Sequence, residues 1–138
     1  MNQETRYLLD TNIISDLIRN PQGLITDRIA LEGEKSICTS IVVAAELRFG
    51  ARKKASSRLT YQMEAILSAI EILPLGEPVD QQYAGLRFHL EKAGSPIGPN
   101  YLLIASHALS LGLILVTANE REFLRVPGLT AENWLTPT

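Results

Sequence analysis

The chain has 138 residues, enough for one domain over residues 1–138 with a substantial core. Its 46% apolar and 20% charged residues exclude a disordered tail, and a net charge of −2 excludes a global positive field for nucleic acid, so any RNA contact must come from a local patch. The single cysteine, Cys38, excludes an internal disulfide. Met1-Asn2-Gln3-Glu4-Thr5-Arg6 lacks a signal-peptide pattern, and no apolar run nears the roughly 18 residues of a membrane span, so a cytoplasmic protein is expected.

Short apolar runs alternate with helical patterns. Tyr7-Leu8-Leu9 reads as a strand, after which Asp10-Thr11-Asn12 turns into a helix with Ile13, Ile14, Leu17 and Ile18 at helical spacing. Asn20-Pro21 ends it, and residues 23–31 form a second helix. Ile37-Cys38-Thr39 is the next strand, and Ser40 can cap a helix from 41 to about 52. A helix over 57–70, a strand over 72–75 and a helix over 79–93 follow, the last with Asp80 in its first turn and Gly94 beyond its end. Gly98-Pro99-Asn100 opens a helix that runs to Leu111 and stops at Gly112; it is apolar nearly all round and should be buried. Residues 113–117 form a continuous apolar strand of the doubly covered type. A helical turn over 120–124 and a last short strand complete the chain. The alternation predicts an α/β fold: a mostly parallel central sheet of four to five strands with helices on both faces. Chemistry in such sheets gathers at the carboxyl ends of the strands, near the switch in strand order.

Several polar residues fall near that edge. Asp10 ends the first strand, where it can cap the following helix and hold a cation as well. Glu46 shares a helix face with Val42, Val43, Phe49 and Gly50; a carboxylate there is costly unless an arginine or a metal answers it. Asn119 and Glu120 follow the strand ending at Thr117; they can cap the turn behind them, or offer oxygen and charge to a metal. Tyr101 stands near the third position of its helix, facing Ile104, Ala105 and Ala108, and by periodicity alone is a core aromatic. Carboxylates converging from distant segments suit a hard cation such as Mg²⁺, which can activate water and stabilise charge on a phosphodiester.

Other chemistries lack their residues. The sequence has no G-x-x-x-x-G-K-[ST] or G-x-G-x-x-G loop, and its two histidines and one cysteine do not make a zinc cluster. His107 reads as a satisfied core histidine, and His89, Cys38 and Trp134 as structural. A phosphatase or receiver domain would also end its first strand in aspartate, but Asn12 stands where D-x-D needs its second acid. Arg48, Arg52, Lys53, Lys54 and Arg58 form a basic cluster, either a phosphate-binding patch or charges suited to a helix C-terminus.

Taken in order, Leu8-Leu9-Asp10-Thr11-Asn12, Glu46-Leu47-Arg48-Phe49-Gly50-Ala51, Gly98-Pro99-Asn100, Ile104-Ala105-Ser106-His107-Ala108 and Val116-Thr117-Ala118-Asn119-Glu120-Arg121-Glu122-Phe123 resemble a PIN-domain ribonuclease, specifically the VapC toxins of VapBC toxin–antitoxin pairs. Val126-Pro127-Gly128-Leu129 and Glu132-Asn133-Trp134 extend the likeness over essentially the whole chain. The resemblance implies an endoribonuclease dependent on Mg²⁺, with Mn²⁺ as a substitute. It makes Asp10 and Glu46 the first two acids, places Asn119 at a fourth position that varies between Asp and Asn, and gives Thr11, Asn12 and Thr117 supporting roles. The third acid of the family, just after the G-P pair, is Tyr101 here. The resemblance further implies a homodimer, and a VapB antitoxin whose C-terminal segment covers the groove, often with an arginine inserted. It also implies operator binding by the complex through the antitoxin, and a tRNA substrate, the initiator tRNA being the expected one. Arg48, Arg52 and Lys53 are the expected RNA contacts. A phenol ordinarily titrates near pH 10, so Tyr101 removes a negative charge and adds bulk; weak metal binding and impaired cleavage are expected.

Overall fold

The computed structural model describes residues 5–136; Met1, Asn2, Gln3 and Glu4, part of the N-terminal segment read above, lie outside them. Five strands form a wholly parallel sheet: β1 (Tyr7–Leu9), β2 (Ile37–Ser40), β3 (Glu71–Leu73), β4 (Ile114–Val116) and β5 (Ala131–Glu132), in the order β3-β2-β1-β4-β5. Seven α-helices occur among the described residues: α1 (Thr11–Arg19), α2 (Leu24–Glu32), α3 (Ile41–Lys54), α4 (Ser57–Ala69), α5 (Val79–Lys92), α6 (Pro99–Leu111) and α7 (Glu120–Phe123). None is long and apolar enough to cross a membrane.

β1 is the centre of the sheet, with Leu8 paired to Cys38 of β2 on one side and to Leu115 of β4 on the other. All three residues of β1 are buried, as a central parallel strand covered on both faces requires. After β1 the chain builds outward through β2 and β3, then crosses back to place β4 on the opposite side. The strand order therefore switches between β1 and β4, and the Asp10 amide extends their ladder by donating to the Val116 carbonyl at 2.9 Å. Asp10 and Thr117 meet at that switch, the place where ligand sites form in such sheets.

Most boundaries fall where the sequence puts them, with local exceptions. β3 ends at Leu73 rather than 75: Pro74 has no amide to donate to the ladder, and Leu75 turns out toward solvent. α3 continues to Lys54 and stops at Ala55 in the left-handed region. α6 is buried along Leu102, Ile104, Ala105, Ser106, His107 and Ala108, but Leu111 at its end is half exposed, so the helix is not covered all round. Trp134 is buried, its ring 5.1 Å from Tyr7 and under the Arg28 guanidinium, which ties the last turn to β1 and α2. Cys38 is buried too, and burial pushes its thiol up to about 11, so it is inert packing. His89 is exposed on α5.

His107 is in the core as expected but only half satisfied. Its Nδ1 meets Ser40 Oγ at 2.8 Å, while Nε2 has no partner in hydrogen-bond geometry. Burial lowers its pKa, and the nearby Pro74 carbonyl counters part of that push. Ser40 itself accepts from the Val42 amide and so caps α3, the helix that carries Glu46.

Candidate functional site

Asp10 leaves the end of β1 almost fully buried and starts α1 as its N-cap. Oδ1 accepts from the Thr11 amide at 2.7 Å, and Oδ2 accepts from the Thr117 hydroxyl at 2.8 Å, a bond that spans the β1–β4 switch point. Thr117 Oγ1 also accepts from the Asn119 amide at 3.0 Å, which holds the start of the loop after β4. Burial raises the Asp10 pKa; the bonds from Thr117 and Thr11 pull it down, and the nearby Glu46 charge adds to the rise.

Glu46 projects from α3 and is half-buried. The apolar face read around it is incomplete, because Phe49 is 65% exposed on the side of α3 turned away from buried Leu47 and Ala51. No arginine answers the carboxylate among the described residues. Thr11 Oγ1 donates to Oε1 at 2.8 Å, and Asn100 Nδ2 donates to Oε2 at 3.3 Å. Thr11 thereby touches both acids, one through its amide and one through its hydroxyl.

Tyr101 enters from the first turn of α6, half-buried, with its ring edge-on to Phe123 of α7 at a centroid distance of 5.6 Å. Asn119 Nδ2 lies 3.4 Å from its hydroxyl, a long hydrogen bond. Burial raises the phenol pKa first, and the charges of Asp10, Glu46 and Glu122 raise it further, so the ring stays neutral. Tyr101 packs against the core as its periodicity indicates, and its hydroxyl end reaches Asn119 beside the acidic cluster.

The remaining candidates divide. Asn119 stands at the N-cap position of α7 without capping it by its side chain, so the capping role read for it does not hold. Glu120 is exposed in the first turn of α7 and stays outside the hydrogen-bonded set. Asn12 is exposed on α1 and makes no side-chain hydrogen bond among the described residues. Arg48, half exposed, pairs with Glu64 of α4 through two bonds of 3.0 Å each. Arg52 and Lys53 are exposed in the last turn of α3, Lys53 over the Phe49 ring. Asn100, bonded to Glu46, joins this set although the sequence does not single it out.

A divalent cation would be held by Asp10 and Glu46, with Asn119 as a neutral oxygen. No group of three or more Asp, Glu, His or Cys side chains able to hold a metal exists among the described residues. Each oxygen of the two acids already has a protein donor, and a neutral phenol stands at the third corner. The residues present do not fit a tightly held Mg²⁺, which prefers charged oxygens and open positions for water.

The PIN domain family model matches residues 7–129. The chain is 38% identical over 130 residues to ribonuclease VapC2 of Rickettsia felis, covering 93% of this chain and 97% of that one. It is also 38% identical over 130 residues to the tRNA(fMet)-specific endonuclease VapC of Shigella flexneri, covering 94% and 98%. Among solved structures, the toxin chain of VapBC2 from Rickettsia felis bound to a promoter DNA fragment superposes with a TM-score of 0.87 at 36% identity, over 94% of this chain and 99% of that one. FitAcB from Neisseria gonorrhoeae superposes with a TM-score of 0.82 at 26% identity, over 95% and 99%. The sheet order, the acidic crevice at the switch point and these full-length likenesses agree: the chain belongs to the PIN-domain family, among the VapC toxins of VapBC toxin–antitoxin systems.

Proposed function

We propose that this chain is a toxin-type endoribonuclease scaffold directed at tRNA, in which Tyr101 impairs cleavage and leaves partner binding intact. The observation that carries the reading is the neutral Tyr101 ring beside Asp10 and Glu46, where the family carries a third carboxylate. Relatives named as tRNA(fMet)-specific endonucleases support initiator tRNA as the substrate class. Mg²⁺, or Mn²⁺ in its place, is the cofactor for which the scaffold is built. With an acid at position 101, Asp10 and Glu46 would be its ligands and Asn119 would complete the set; in this chain Thr11 and Thr117 orient the two acids.

Partner binding needs no cation. A cavity of about 210 Å³ between α1, α3 and α4 adjoins Glu46, with Ile18, Leu47, Leu59 and Met63 among its lining. It suits the apolar side of an antitoxin segment that presents an arginine to Asp10 and Glu46, two carboxylates with no cationic partner among the described residues. Structures of related VapBC complexes bound to DNA support an operator-binding assembly formed through the antitoxin. Exposed Phe49, Tyr61 and Phe88 are apolar surface for a second copy. The hydrogen-bonded state of both acids favours a second reading as well: a PIN protein without cleavage that sequesters antitoxin and takes part in operator repression.

The test is RNA cleavage with Mg²⁺ by this chain and by Tyr101→Asp, alongside co-purification with a VapB-type antitoxin. Cleavage by Tyr101→Asp alone supports impairment. Equal, robust cleavage by both removes it, and no cleavage by either with antitoxin retained selects the binding protein.

A further inference from the structure

Glu46 makes no ion pair among the described residues, and a half-buried carboxylate without an answering charge relies on hydrogen bonds instead. Thr11 supplies one from α1 at 2.8 Å, and exposed Asn100 a longer one from α6 at 3.3 Å, 54 residues along the chain. Asn100 is the second residue of α6, between Pro99 and Tyr101, in a helix whose cap, Gly98, has no side chain to bond the first turn. An asparagine there ordinarily folds back onto its own backbone. Here it reaches across to α3. Chemistry fixes the orientation of the amide: turned over, its oxygen would face a carboxylate oxygen, and two acceptors repel.

Consecutive residues of α6 thus divide the work. Tyr101 turns toward Asn119 and Phe123 of α7, and Asn100 turns toward Glu46. We propose that Asn100 is a positioning residue that holds Glu46 beside Asp10 by its amide, so that the acidic pair stays assembled without a cation. Helix α6 delivers a neutral donor to the site in place of a third acid. The proposal rests on the reading of this crevice as a nuclease site and deepens it: the vacated charge at residue 101 is answered by the residue before it.

The test is a double-mutant cycle read by thermal unfolding of the full chain in EDTA and in Mg²⁺. Asn100→Ala lowers Tm by about 3 °C in the parent, the loss of one partly exposed bond to a charged group. In a Glu46→Ala background the same substitution leaves Tm unchanged, because the two residues act as one pair. Asn100→Asp keeps the size and swaps a donor for an acceptor; it lowers Tm in EDTA at least as far as Asn100→Ala, although a helix first turn favours negative charge. The parent's Tm does not respond to Mg²⁺. Equal losses in both backgrounds, an Asn100→Asp chain as stable as the parent, or a parent stabilised by Mg²⁺ would each overturn the proposal. None of these arms reads RNA cleavage. A Tyr101→Asp chain that fails to cut RNA removes the nuclease reading and leaves the cycle standing, whereas an additive cycle removes the role of Asn100 alone.

Discussion

Tyr101→Asp converts a neutral corner of the crevice into a third carboxylate, and its cost follows from what Tyr101 touches. Removing a fully buried aromatic costs about 3–5 kcal/mol, so a half-buried one costs roughly 2, including the edge-on contact with Phe123. The new charge enters a field already strong enough to raise the phenol's pKa through Asp10, Glu46 and Glu122. Two like charges about 4 Å apart repel by roughly 4 kcal/mol at an effective dielectric near 20; solvent at this open site cuts that to about 1. A cation-free penalty of about 3 kcal/mol corresponds to a Tm some 10 °C lower for a chain of this size. Mg²⁺ reverses the sign of the charge interaction. At a concentration about 100 times Kd it returns roughly 2.7 kcal/mol, most of the loss. The assay is a pair of melting curves in EDTA and in Mg²⁺ for parent and variant, followed by cleavage of a tRNA substrate. The parent should ignore the cation, and the variant should depend on it for both stability and cleavage. A variant whose Tm is indifferent to Mg²⁺ refutes the reasoning, because the crevice would then not be a cation site even with its third acid in place.

Three further outcomes follow from contacts elsewhere. Asp10 has a raised pKa because burial outweighs its two hydrogen bonds, so between the ordinary value of 3.8 and its folded value the native state binds the extra proton. Its contribution to stability therefore grows as pH falls through that window and is least at neutral pH. The stability difference between Asp10→Asn and the parent should shift in the parent's favour as pH falls through that window; a constant difference across pH counts against this account. Ser40→Ala removes the cap of α3 and leaves His107 Nδ1 without a partner, which costs about 2–3 kcal/mol and should lower Tm by roughly 8 °C in a calorimetric scan. For binding to a tRNA stem-loop, Arg48→Ala should leave the salt dependence as it is, since Arg48 is held by Glu64. The double change Arg52→Ala and Lys53→Ala should flatten the log–log salt slope by about 1.4, read by fluorescence anisotropy.

The parallel sheet is legible because its cause is local: buried strands written as continuous apolar runs, each followed by a helix with recognisable ends. Asp10 is legible for the same reason, as the polar residue that terminates the central strand. Glu46 stands out as a charge in an apolar helix, yet an apolar residue need not face the core: Phe49 lies on the side of α3 opposite buried Leu47 and Ala51 and stands in water. The pairing of Arg48 with Glu64 is equally invisible, because it depends on how α4 folds back on α3. Asn100 is the clearest omission. An exposed asparagine in a helix first turn looks like a local capping residue, and only the packing of α6 against α3 brings it to Glu46.

That omission bears on how the crevice exists at all. Two carboxylates gathered at a strand switch point would drive the site apart unless each oxygen found a donor. Thr117, Thr11 and Asn100 supply those donors from the residue after β4, from α1 and from α6, so the site is held by the same segments that build the fold. A scaffold satisfied in this way does not need a metal to remain folded. It can therefore tolerate a phenol at residue 101, where a site assembled by its cation would lose its shape together with its charge. Glu46 stays half exposed and neither acid has a cationic partner among the described residues, so under the proposed reading the binding of an antitoxin arginine and nuclease activity are separable properties of one site.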